Sequence, residues 1–163
     1  LGRKHFLSGL KTSVDACRKL LKELYTKDNK IKILIFCNSK EEADSVSKYS
    51  YYSGNEHLDN LNKFDNNEIP VLSVVAKIDR GLNISGVNHI IFKSPSRSKT
   101  KLQQRSGRGR RLHIDDTVHL FFLIPYFKNL RGDITPTVIK AYVDESCSDL
   151  NTEKIKNINY VNW

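Results

Sequence analysis

The apolar residues of this chain switch between two spacings, and that switch restricts the fold more than any other feature of the sequence. Short, nearly continuous apolar runs occur at Ile31 to Cys37, at Val71 to Val75, in the cluster Val87, Ile90, Ile91 and Phe92, and at Thr117 to Ile124. Runs of this kind suit strands of a parallel sheet buried on both faces. Between them the spacing becomes helical. Leu10, Val14, Cys17, Leu21, Leu24 and Tyr25 mark one amphipathic helix, and Leu58, Leu61 and Phe64 mark another over about His57 to Asn66. Asn38-Ser39 caps a third, which carries Glu41 and Glu42 in its first turn and runs to about Lys48. Strands alternating with helices predict right-handed βαβ units, hence an α/β domain with a mostly parallel sheet and helices on both faces. At 163 residues and 39% hydrophobic content, one sizeable core is expected. Beyond Pro125 the pattern weakens: Gly132 and Pro136 suggest a loop, a helix is expected near Val138 to Cys147, and Lys154 to Trp163 receives no assignment. The expected division is 1–30 for a leading segment and first helix, 31–124 for the core, and 125–163 for a C-terminal extension.

Charge narrows the choice of partners. Twenty-seven Lys and Arg against 18 Asp and Glu give a net charge of +9, which favours a polyanion. The excess is concentrated: Arg97 to Arg111 holds seven basic residues and no acidic one. Cys17, Cys37 and Cys147 form no CxxC pair and read as free thiols in a reducing compartment. The histidines lack ligand spacing, so no metal site is assigned. The longest apolar stretch, Leu120 to Pro125, is too short to span a bilayer, and no cleavable leader is visible. A soluble, cytoplasmic protein without membrane contact is expected.

In such a sheet, ligands gather at the carboxyl ends of the strands, and three loops there carry suggestive residues. Cys37-Asn38-Ser39-Lys40 offers either amides and a lysine for a phosphate or a plain helix cap. The loop from Ala76 to Ile84 contains Lys77, Gly81 and Asn83, its glycine serving a tight turn or a close ligand approach. Lys93-Ser94-Pro95-Ser96-Arg97-Ser98-Lys99 mixes hydroxyls with cations, as phosphate-backbone contacts require, although a solvated loop would have the same composition. It leads into the octad Gln104-Arg105-Ser106-Gly107-Arg108-Gly109-Arg110-Arg111. In a helix, Arg108 and Arg111 share a face and reach one anion, which suits a phosphate gathering charge during transfer. A solvated basic helix is the alternative.

The order and spacing of these segments resemble the second RecA-like domain of superfamily 2 helicases. Ile31 to Ala43 is similar to motif IV, Tyr51-Tyr52-Ser53 to motif IVa, Val71 to Ile84 to motif V, and Gln104 to Arg111 to motif VI in its Q-R-x-G-R-x-x-R form. Within the superfamily the pattern is nearest to XPB-like, phage and restriction-type DNA helicases. DEAD-box RNA helicases usually carry Thr-Asp where this chain has Val75-Ala76.

The resemblance implies that Arg108 and Arg111 are arginine fingers on the ATP γ-phosphate, with Gln104 beside them. It implies that Gly81 and Asn83 approach the nucleotide, Asn83 standing where Asp is commoner. Ser39, Ser53, Lys77 and Arg97 would touch the nucleic-acid backbone, DNA foremost and RNA as the alternative. No G-x-x-x-x-G-K-[ST] occurs in the chain, so ATP and Mg²⁺ would be held mainly by a first RecA-like lobe, in the same polypeptide or a separate one. The domain alone should not hydrolyse ATP. An ATP-independent nucleic-acid-binding module remains the competing expectation. A phage or bacterial source and a role in DNA repair or recombination are further expectations of the resemblance.

Overall fold

The computed structural model describes residues 11–28, 30–52, 58–75, 84–94, 117–136, 139–146 and 148. Helix α1 (Lys11–Lys27) leads into strand β1 (Ile33–Cys37), α2 (Lys40–Val46), β2 (Ser50–Tyr51), α3 (Leu58–Asp65), β3 (Val71–Val75), β4 (His89–Phe92) and β5 (His119–Phe122). A hairpin of β6 (Tyr126–Lys128) and β7 (Ile134–Pro136) follows, then α4 (Ile139–Ser146). Among the described residues, β1 to β5 form one sheet in the order β2-β3-β1-β4-β5 with every pairing parallel.

Alternation along the strands sends two sets of side chains to opposite faces. Leu34, Phe36, Leu72, Val74, Ile90 and Phe92 pack with Phe64 of α3 and with Ile69, Ile84 and Val87. Ile33, Ile35, Cys37, Val75 and Ile91 pack with Cys17 and Leu24 of α1 and with Ala43 and Val46 of α2. Helices therefore cover both faces of the parallel sheet, as expected. An aromatic row crosses the first face, where Phe36 stacks on Phe92 at 5.5 Å between ring centroids and Phe92 on Phe122 at 4.6 Å. Burying a ring such as Phe92 contributes about 1.5–3 kcal/mol through desolvation alone.

The ends of the elements follow from hydrogen bonds that the apolar pattern does not show. The strand expected from Ile31 begins at Ile33, whose N–H reaches Pro70 O, because the Lys32 N–H is taken by the Asn88 side chain at 2.8 Å. Helix α2 stops at Val46 rather than Lys48, since Ser47 is extended at φ −139° and closes the last turn onto Ala43 O. Helix α3 ends in a left-handed residue, Asn67 at φ 61°, with the Glu68 N–H returning to Lys63 O at 2.8 Å. The loop expected after Pro125 contains instead the antiparallel pair β6 and β7. The octad and its expected helix lie outside the described residues, as does the tail from 149.

Candidate functional site

The carboxyl ends of the strands align along one edge. Cys37 is in register with Val75, and Phe36 with both Val74 and Phe92. From β1 the chain proceeds toward β2 and β3 on one side, whereas β4 is followed by β5 on the other. The carboxyl ends of β1 and β4 thus form the topological switch point, where open α/β sheets bind ligands.

A buried charged cluster sits at that point. Glu42, in the first turn of α2, accepts from Lys93 Nζ and Ser94 Oγ on Oε1, both at 2.5 Å, and from the Asn38 N–H on Oε2. The two charged side chains are 0% and 4% exposed. The Lys93 N–H continues the ladder to Phe36 O at 3.1 Å, so the lysine emerges directly from the sheet. Backbone pairing thereby determines the path of Lys93, and Glu42 gathers the exits of both strands. A buried pair of this kind contributes little net stability over an apolar substitute but leaves a costly charge if one partner is removed.

Ser39 lies beside this cluster as the N-cap of α2, its Oγ accepting from the Glu42 N–H at 3.2 Å. The amides of Asn38 and Glu42 both have internal acceptors, so the Cys37–Lys40 turn is a cap. Lys93 and Ser94, which in sequence belonged to a basic loop suited to phosphate contacts, turn inward to Glu42. Sequence reading identified Glu41 and Glu42 only as first-turn acids. The Ser39-x-x-Glu42 spacing was the available signal for a capping arrangement, although the carboxylate here reaches Asn38 rather than Ser39.

Next to the cap, Lys40 Nζ lies 5.0 Å from the centre of the Tyr52 ring, and Tyr52 Oη donates to Asp44 Oδ2 at 3.1 Å. Arg18 of α1 donates through Nε and Nη2 to Ser45 O at 3.0 and 2.6 Å, satisfying a terminal carbonyl of α2. Both bonds fix the helix whose start builds the site. Of the residues expected to act, Ser39 is brought to the switch point. Ser53, Lys77, Gly81, Asn83, Arg97, Gln104, Arg108 and Arg111 lie outside the described residues. Cys17 and Cys37 are buried, and burial pushes the Cys17 thiol up to about 12. Among the described residues no helix is long and apolar enough to cross a membrane.

A parallel sheet with helices on both faces and a topological switch point defines a RecA-like α/β class of domain. The match is specific: residues 15–113 fit the helicase conserved C-terminal domain, and the chain belongs to that family. Solved structures of similar fold include phage T4 UvsW, at a TM-score of 0.62 and 14% identity over 90% of this chain and 34% of that one. The E. coli DEAD-box protein SrmB, bound to regulator of ribonuclease activity A, gives 0.58 and 16% over 68% and 71%. The Pyrococcus furiosus Hef helicase domain gives 0.55 and 21% over 87% and 30%. The chain therefore spans about a third of the UvsW and Hef chains. No curated protein sequence matches it.

Proposed function

We propose that this chain is the second lobe of an ATP-dependent DNA helicase or translocase. Its family membership over residues 15–113 carries this reading, because helicase C-terminal domains belong to ATP-driven motors. The switch-point geometry supports it, since Ser39, the segment after Val75 and the segment after Ser94 all leave the sheet from one edge. In this reading a first lobe holds ATP and Mg²⁺, and lobe closure brings Arg108 and Arg111 to the γ-phosphate with Gln104 beside them. Two guanidinium groups there stabilise charge that develops as the phosphoryl group is transferred, an effect worth roughly 10³–10⁵ in rate for an arginine finger. Gly81 and Asn83 face the nucleotide. Ser39, Ser53, Lys77 and Arg97 hold the nucleic-acid backbone, so the grip weakens steeply with salt.

The domain division of 1–30, 31–124 and 125–163 belongs to the same proposal, as does cytoplasmic action in a phage-infected or bacterial cell. RNA stays in view as the substrate because DEAD-box proteins, SrmB among them, share the fold. The deciding experiment is ATP turnover by the complete polypeptide with no nucleic acid, with DNA and with duplex RNA. Stimulation by DNA above RNA supports the proposal, and the reverse order makes the chain an RNA helicase lobe. Salt-sensitive binding without turnover points to a binding module.

A further inference from the structure

The amino end of β4 and β5, opposite the switch point, brings together two histidines that are far apart in sequence. His89 and His119 are paired residues of parallel strands, so their side chains share one face, that of Ile33, Ile35 and Ile91. Their ring centroids are 4.9 Å apart. His119 is exposed, whereas His89 is half-buried and stacks on Phe121 at 5.8 Å with 7° between the planes. The cation Lys32 points to the other face, where its Nζ meets the Phe64 ring. Hydrogen bonding determines which nitrogen of His89 is available. The Lys32 N–H donates to a side-chain atom of Asn88 at 2.8 Å, and a backbone amide can only donate, so that atom is the oxygen Oδ1. The same Oδ1 lies 2.8 Å from His89 Nδ1, which therefore carries the proton and leaves the lone pair on Nε2.

Histidines that bind metals commonly donate their second N–H to a carbonyl or carboxylate, which fixes the ring and raises its basicity, and Asn88 supplies that contact here. Asn88 also accepts the His119 N–H on its backbone oxygen at 2.9 Å, so one residue anchors both histidines. The spacing suits a single ion. An imidazole nitrogen binds such an ion at about 2.0–2.1 Å, which sets the ring centre about 3.2 Å from the metal. Two rings on one ion then have centres about 4.5 Å apart at a right angle and about 5.2 Å apart at the tetrahedral angle. The observed 4.9 Å falls between these values. The Asp28 carboxylate, just beyond α1, acts on His89 with the sign that favours a positive charge. Among the described residues no third His, Cys, Asp or Glu joins the pair, so water would fill the remaining positions.

We infer that His89 and His119 form a two-imidazole site for a divalent transition-metal ion of the zinc, nickel or copper kind, which clasps the edge strand β5 to β4. Imidazole selects these ions over Mg²⁺, which takes oxygen ligands. Among the described residues β5 is paired on one side only, so a bridging ion ties it down where the sheet is weakest. The inference needs neither ATP nor nucleic acid, and it stands or falls apart from the proposed function. The test adds Zn²⁺ alone to the complete, tag-free polypeptide at about pH 7.5, where imidazole is neutral, and follows urea unfolding and amide exchange. Two imidazoles of four ligands place the dissociation constant at roughly 1–100 µM. At about ten times that concentration the folded-to-unfolded ratio should rise about tenfold, and the His119 N–H should exchange about tenfold more slowly. Mg²⁺ should do neither. His119→Gln, a change at an exposed position, should weaken Zn²⁺ binding by about tenfold or more and remove both effects. With Cu²⁺ as the probe, electron paramagnetic resonance should show coupling to two imidazole nitrogens in the unaltered chain and fewer in His119→Gln. Absence of stabilisation by Zn²⁺, stabilisation that survives in His119→Gln, or a copper spectrum unchanged by that substitution would overturn the site.

Discussion

Among the described residues each end of the sheet buries one lysine, and the two are held by opposite means. Lys32, at the amino end of β1, is 6% exposed and donates to Asp65 O at 3.2 Å, Asn67 Oδ1 at 2.8 Å and Ser85 O at 2.9 Å, with the Phe64 ring 4.8 Å away. All three acceptors are dipoles. Burial therefore lowers the Lys32 pKa from its ordinary value, partly offset by the Asp65 carboxylate. Lys93, at the carboxyl end of β4, is 2% exposed and meets the full charge of Glu42. The amino end is closed by a cation that ties loops together through their backbones. At the carboxyl end, a charged pair joins the exits of β1 and β4, from which two of the proposed site segments depart. Loss of one partner has different consequences at the two ends, and that difference can be measured.

The largest effect should come from Lys93→Met, which leaves Glu42 buried and unpaired and should cost about 3–5 kcal/mol. Urea unfolding of the complete chain measures it, and the Glu42→Gln/Lys93→Met double variant should recover most of the loss. A double variant as unstable as the single one would show that the pair is not the source of the cost. Lys32→Met orphans neutral acceptors only, so about 1–3 kcal/mol is expected in the same assay. Equal losses at the two lysines would erase the distinction between the ends.

Acid should act on the amino end. His89 lies 4.9 Å from the His119 ring and 5.8 Å from Phe121, and its Nδ1–H donates to Asn88 Oδ1 at 2.8 Å. Burial first, and then His119, hold its pKa below the ordinary 6.5, against an opposing pull from Asp28. The unfolded chain therefore takes up this proton first as pH falls. The stability it contributes is complete above 6.5 and is lost as pH drops from there through the lowered folded value. Unfolding midpoints across that window should slope for the unaltered chain and flatten for His89→Gln. A slope unchanged by the substitution would place the titrating group elsewhere. The smallest effect concerns Cys17, whose thiol, raised to about 12 by burial, should resist alkylation at neutral pH until the chain unfolds. Rapid labelling of Cys17 in the folded chain would mean that α1 opens readily from the sheet.

What sequence alone revealed divides along the same line between backbone pattern and side-chain pairing. Val71 to Val75 is continuous, apolar and preceded by Pro70, and it forms β3 over those residues. Lys11–Lys27 carries its helical spacing over several turns and was legible for that reason. Ser50–Tyr51 is two residues long and the hairpin strands three each, too short for a period to register. Gly132 marked a turn there without marking what it joins. The Glu42–Lys93 pair spans 51 positions and arises only when β1 and β4 become neighbours, so nothing local announced it. Ser39 was legible because capping is a local event. The motif residues from Lys77 to Arg111 were read from their type and order.

The central claim is that this domain supplies arginine fingers to ATP held by another lobe. The most direct test is nucleic-acid-stimulated ATP turnover by the complete polypeptide, unaltered and as Arg111→Ala, with binding measured in parallel. The account predicts that Arg111→Ala abolishes stimulated turnover, a loss of roughly 10³ or more, while affinity for nucleic acid stays within a few-fold. Intact turnover accompanied by a large loss of binding would contradict it and make Arg111 a backbone contact.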